Sequence, residues 1–203
     1  SLNNQTYKIF NKSHTKKVKR KMVISSVSNT SVELGDYKHY MQKEIWEQPI
    51  STNALISANI DLASNSLKSP FDFAKPEKVI FLACGTSYNA ALFGEYYLPN
   101  RIGISVKAEL ASEFHYKAFN IDEKTLIVAI SQSGETADTV AALKIAKKKG
   151  ARTHAVVNVE ASQIARMCDS YGLLHAGPEI GVASTKCFTN QLLAILFLGE
   201  QIA

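Results

Sequence analysis

The sequence predicts an α/β fold, a parallel sheet with helices on both faces. Three observations carry this. Short runs of apolar, often β-branched residues alternate with helical patterns from residue 78 onward. Most strand candidates are separated by a helix-length segment, as parallel neighbours require. Glycines and hydroxyl residues gather where strands hand over to helices, the place where open α/β sheets bind ligands.

In chain order, the first expectation is a small hairpin. Gln5–Phe10 and Val18–Ile24 partly alternate polar and apolar residues, with a turn at Asn11–His14. It has too few apolar residues to fold alone. Residues 25–36 are rich in Ser, Thr and Asn and end at Gly35-Asp36, which predicts a linker. A helical pattern follows over His39–Gln48, meets Pro49 and resumes over Ile50–Ile60. Met41 and Ile45 share one face, as do Leu55 and Asn59. The domain reading is therefore 1–36 as an appendage and 37–203 as one α/β domain.

The predicted strands are Lys78–Ala83, Ile104–Ala108, Leu126–Ile130, His154–Asn158 and Tyr171–Leu174. The predicted helices are Tyr88–Leu98, a short one near Ala111–Tyr116, Ala137–Lys149, Ser162–Cys168 and Ala183–Ile202. Lys147, Lys148 and Lys149 fall in a last helical turn before Gly150, where they complement the negative end of the dipole.

Composition narrows the function classes. The apolar fraction of 46% is that of a globular protein. The formal charge is +5, but residues 1–39 hold eight of the 23 Lys/Arg and only two of the 18 Asp/Glu. The basicity belongs to that segment. Its run Lys16–Lys21 lacks interleaved aromatics, so a solvated strand face is preferred over a nucleic-acid patch. Three cysteines, without C-x-x-C spacing, point to a reduced, cytoplasmic protein rather than a disulfide or zinc framework. The longest apolar stretch, Leu192–Leu198, falls far short of the ~20 residues of a membrane span.

Three loops carry the chemistry: Cys84-Gly85-Thr86-Ser87, Ser131-Gln132-Ser133-Gly134-Glu135-Thr136, and Gly177 through Thr185. Each brings glycine and hydroxyls to a helix start, where unpaired N–H groups and the dipole favour a phosphate. One such loop alone is better explained by helix capping. Three at one sheet edge favour a small phosphorylated ligand. Neither G-x-x-x-x-G-K-[ST] nor G-x-G-x-x-G occurs, which argues against nucleotide folds. Cys84 reads better as a small residue packed under its loop than as a nucleophile, and His154 as structural. His39, His115, His154 and His175 have no metal-ligand spacing. Glu135 is expected to favour the dipole while pointing outward. Glu179 and Lys186 either pair with each other or touch a sugar hydroxyl, and the sequence leaves both open.

Four stretches together resemble the isomerase part of the glutamine–fructose-6-phosphate aminotransferase (glucosamine-6-phosphate synthase) family. They are Tyr37–Pro49, Ala83–Tyr88, Ser131–Thr139 and Glu179–Lys186, so the resemblance covers essentially residues 37–203. It implies an SIS (sugar isomerase) fold with a five-stranded parallel sheet. It also implies fructose 6-phosphate or glucosamine 6-phosphate as ligand. Thr86, Ser87, Ser131, Gln132, Ser133 and Thr136 would bind the sugar phosphate, with Ser131–Thr136 holding the phosphate itself. Val182 and Ser184 would approach the sugar. Cys187 stands where the family favours a small residue. No cofactor or metal is implied, nor any nucleic-acid or membrane partner.

The family's glutaminase domain and second SIS domain have no counterpart here, nor has the lysine and glutamate chemistry of the latter. The expectation is a fragment of a homodimeric enzyme, binding sugar phosphate without turnover. A sugar-phosphate sensor with a basic arm and a stand-alone sugar-phosphate isomerase are the alternatives. A DNA-binding regulator would need a helix-turn-helix, and residues 1–36 show no amphipathic helix pair.

Overall fold

The computed structural model describes residues 10, 13, 16–18, 32–68, 71–73 and 75–203. Two helices come first, α1 (Tyr40–Trp46) and α2 (Gln48–Asn59). Pro49 lies in the first turn of α2 rather than between two separate patterns; there its missing N–H costs nothing. A two-residue antiparallel pair follows, β1 (Ile60–Asp61) and β2 (Ser66–Leu67), which the sequence reading did not anticipate. The expected N-terminal hairpin falls mostly outside the described residues, although Phe10 and Lys17 form an isolated antiparallel bridge.

The main sheet contains β3 (Lys78–Ala83), β4 (Ser105–Leu110), β5 (Thr125–Ser131), β6 (Arg152–Val157) and β7 (Ser170–Leu173). All neighbours pair in parallel, in the order β4-β3-β5-β6-β7. The order steps outward from β3 to β4, then back across to β5 and onward. The reversal therefore lies between β3 and β5, and the crevice outside their carboxyl ends is the expected ligand position.

Alternate strand residues feed two cores. Val79, Phe81, Ala83, Val128 and Ile130 pack with α3 (Gly85–Ile102) and α6 (Lys186–Ile202) through Ala90, Ala91, Leu98, Ile195 and Leu198. Ile80, Leu82, Ile127, Ala129 and Val157 pack with α4 (Ala137–Lys148) and the short α5 (Gln163–Met167) through Val140, Leu143, Ala146 and Ile164. Residues 125–131 are buried throughout, as a central strand covered on both faces must be. Gly94 brings α3 down onto this sheet: a Cβ there would sit 2.7 Å from the Phe81 ring.

Boundaries differ from expectation in ways that matter for function. The α3 helix starts at Gly85, so Thr86 and Ser87 form its first turn rather than a loop before it. Only Phe114–Tyr116 of the expected helix near Ala111–Tyr116 is helical, as one 3₁₀ turn. The last helix begins at Lys186, leaving Ala183 to Thr185 in the preceding loop.

Candidate functional site

Three loops emerge at the carboxyl edge of the sheet, and each is held differently. The first is the shortest: β3 ends at Ala83 and α3 begins two residues later, with Cys84 at the N-cap position. No side chain caps this helix. Thr86 is exposed, whereas Ser87 is buried and its Oγ accepts a 2.9 Å hydrogen bond from Gln191 Nε2 of α6. That bond fixes the start of α6 beside the start of α3.

The second loop, Ser131–Thr136, folds around its own hydroxyls. Ser131 Oγ accepts the Gly134 N–H at 3.0 Å and lies 3.0 Å from Thr136 Oγ1. Ser133 Oγ accepts the Glu135 N–H at 3.2 Å. Gly134 has φ +64, and a Cβ on it would meet Ser162 Oγ at 2.1 Å, so glycine is required on both counts. Thr136 occupies the N-cap of α4 without capping it by its side chain. Gln132 is half-buried, and its carbonyl accepts the Asn158 N–H at 3.2 Å. Glu135 does not merely point outward: its Oε1 accepts the N–H of Gln163, the first residue of α5, at 2.6 Å.

The third loop, residues 177–185, is held by carboxylates. Glu179 Oε1 accepts the N–H groups of Thr185 at 2.8 Å and Cys187 at 3.2 Å, which caps α6. Its Oε2 accepts the Ser184 hydroxyl at 3.1 Å. Glu44 reaches over from α1, almost fully buried, and accepts from Ile180 N at 2.5 Å and Gly181 N at 3.1 Å. Of the two alternatives for Glu179 and Lys186, the mutual pair is not formed. Lys186, also buried, pairs with Glu47 at 2.7 Å, while Glu179 serves the loop backbone. Val182 stands free at the loop tip, fully exposed.

Asn158, just past β6, joins the second and third loops. Its Nδ2 donates to Gly177 O at 2.7 Å, its Oδ1 accepts the Ala176 N–H at 3.0 Å, and its backbone N–H bonds Gln132 O. Sequence reasoning missed Asn158, Glu44 and Gln191. Only Glu44 carried a signal, lying inside the matched stretch Tyr37–Pro49. The remaining bonds join residues distant in sequence.

Chemically, the edge presents hydroxyls and two helix starts without side-chain caps, suited to an anion. Three of its carboxylates are engaged: Glu44, Glu135 and Glu179 each accept backbone N–H groups. Burial pushes the Cys187 thiol well above the usual thiol range and Cys168 up to about 12, so neither is a nucleophile. His154 lies in β6 with its ring against Phe71 and Phe73, bonded to Ser170 Oγ at 2.8 Å, and burial lowers it to about 4. Among the described residues no cluster of three His, Cys, Asp or Glu could hold a metal, and no helix is long and apolar enough to cross a membrane.

The SIS domain family model matches residues 72–200. The glutamine–fructose-6-phosphate aminotransferase (isomerizing) of Caulobacter vibrioides is 40% identical over 200 residues, 98% of this chain and 33% of the relative. That of Clostridium tetani is 43% identical over 201 residues, again 33% of its length. The chain thus spans about a third of the curated relatives it matches. Among solved structures, the C-terminal domain of the Francisella tularensis glucosamine-fructose-6-phosphate aminotransferase superposes with a TM-score of 0.77 at 39% identity, covering 82% of this chain and 48% of that one. Glucosamine-6-phosphate deaminase from Thermotoga maritima superposes at 0.66 with 27% identity, covering 81% and 49%.

Proposed function

The chain belongs to the SIS domain family, and from that premise we propose that it is the sugar-phosphate-binding part of a glutamine–fructose-6-phosphate aminotransferase. The reaction of the whole enzyme is fructose 6-phosphate plus glutamine to glucosamine 6-phosphate plus glutamate. In this reading Ser131, Gln132, Ser133 and Thr136 hold the phosphate, Thr86 and Ser87 extend its cradle, and the Val182–Ser184 segment faces the sugar. Residues 1–36 belong to a preceding domain and its connection, and the protein works in the cytoplasm as a homodimer.

The observation that carries the reading is the convergence of the β3–α3 and β5–α4 junctions at the reversal of strand order. Both helix starts lack side-chain caps, and both are lined by hydroxyls, so an incoming phosphate completes the bonding of groups already oriented. The engagement of Glu44, Glu135 and Glu179 by backbone donors supports a role in binding and orientation, with proton transfer left to groups elsewhere in the enzyme.

Ser184 spends its hydroxyl proton on Glu179, so it meets a sugar as an acceptor or through its backbone. Calorimetric or NMR titration with fructose 6-phosphate tests the proposal. Binding that weakens in Ser133→Ala or Thr136→Ala, by roughly fivefold to tenfold for one lost donor, is the expected result. No response at millimolar ligand would overturn it.

A further inference from the structure

Resting on that reading, we propose that Gln191 is a positioning residue for the anion site, aiming the Ser87 hydroxyl proton at the ligand. Gln191 sits one turn into α6 and is 1% exposed. Its Nε2 donates to Ser87 Oγ at 2.9 Å, while its Oε1 has no partner among the described residues. Ser87 lies in the uncapped first turn of α3.

A hydroxyl that accepts one N–H keeps a single proton of its own to donate. With Gln191 filling a lone pair on the protein side, that proton is left for another acceptor, and an anion at the uncapped first turn of α3, which holds Ser87 and exposed Thr86, would supply one. The opposite amide orientation would accept the Ser87 proton at Oε1 and turn lone pairs toward an anion. With Nε2 toward Ser87, the buried carboxamide oxygen meets no donor among the described residues, an uncommon arrangement in a native interior. What it gains is a fixed, polarised donor at the site. The helix that carries Gln191 opens from the third loop, so the placement of Ser87 depends on both.

The test is a double-mutant cycle on the full chain, read as affinity for fructose 6-phosphate and for inorganic phosphate. Gln191→Met keeps the volume and removes the N–H, so Ser87 is free to turn. Its affinity should fall roughly fivefold, the weight of one oriented hydrogen bond. Gln191→Glu can only accept, so it draws the proton inward and should cost more. In a Ser87→Ala background, Gln191→Met should cost nothing further. A merely structural glutamine would lower the melting temperature without this coupling.

Unchanged affinity in Gln191→Met, or additive losses in the double variant, overturns the inference while binding weakened by Ser133→Ala leaves the proposed function standing. Absence of any binding to the unsubstituted chain removes both. Should Gln191→Glu fail to fold, the neutral variant still decides.

Discussion

The second and third loops lie at the same sheet edge, yet they are built on opposite principles. Ser131–Thr136 is closed by bonds spanning two to five residues, from its own hydroxyls to its own backbone. Residues 177–185 take their shape partly from Glu44, 136 positions away in sequence. The hydroxyl bonds of the second loop are neutral and short-range, and its links to Asn158, Gln163 and Ile164 reach only the adjoining β6 and α5. The third loop holds a side chain of α1 out of water and requires α1 to be docked. The second loop can form once its own and the adjoining β–α units do. The third is in place only once α1 has packed, so its order reports on the assembly of the whole domain.

Removing Glu44 should separate the two loops most sharply. In Glu44→Ala the N–H groups of Ile180 and Gly181 lose a charged acceptor inside the protein, and such bonds carry about 1.5–3 kcal/mol each. A loss of roughly 4 kcal/mol in urea unfolding is expected. Hydrogen exchange should accelerate at Ile180 and Gly181 and stay unchanged at Gly134. Equal acceleration in both loops would erase the distinction.

Gly134→Ala is the complementary break, expected at about 3 kcal/mol. The left-handed φ of +64 costs an alanine about 1 kcal/mol, and a Cβ 2.1 Å from Ser162 Oγ and 2.4 Å from its Cβ forces a shift in a packed region. Gly181→Ala provides the contrast. Its Cβ would meet Glu44 Oε2 at 2.5 Å, the end of a flexible side chain. That carboxylate is buried and bonded to Ile180 and Gly181, so displacing it should disturb the third loop only. Faster hydrogen exchange at Gly134 in Gly181→Ala, or at Ile180 in Gly134→Ala, would contradict the difference in construction.

The same contrast explains how much of the molecule is legible in its sequence. The five strands and the Ser131–Thr136 loop follow from short-range patterns: β-branched runs, hydroxyls and a glycine before a helical period. The start of α3 was placed at Tyr88 because Gly85, Thr86 and Ser87 contribute no apolar periodicity, although they form its first turn. The β1–β2 pair is two residues long on each side, too short for alternation to register. Glu179 and Lys186 flank the third loop, and the sequence leaves open whether they pair or touch a sugar hydroxyl. Their actual partners, the α6 backbone and Glu47 on the far side of the chain, follow from how α1 packs. Candidate ligand groups were legible, whereas the residues that hold them in place were largely not.

Acid should act on both loops at once, because it acts beneath them. His154 is buried in β6, the strand that leads to Asn158, and its folded value of about 4 lies below the ordinary 6.5. A depressed histidine means that the unfolded chain binds the extra proton. Stability is therefore full above pH 6.5 and declines as pH falls through 6.5 toward 4. The contribution lost by pH 5 is roughly 2 kcal/mol. Gly134 and Gly181 amides should lose protection together over this range, and His154→Gln should flatten the slope. A response confined to the third loop would shift the cause to its carboxylates.

The smallest effect should come from Ser131→Ala, and it is the most specific to the second loop. The serine Oγ accepts the Gly134 N–H and sits within bonding distance of Thr136 Oγ1, and it is nearly fully buried. Alanine removes both bonds without creating a large cavity. The Thr136 hydroxyl can turn to solvent, being only half-buried, so the net loss is that of one neutral bond, about 1 kcal/mol. Exchange should rise at Gly134 and not at Ile180 or Gly181. Because the loop is closed by several such bonds, losing one should leave its fold intact and lower affinity for fructose 6-phosphate more than stability. A stability loss as large as that of Glu44→Ala would mean that the second loop is also a long-range construction, its hydroxyls bracing the sheet edge rather than shaping an anion cradle.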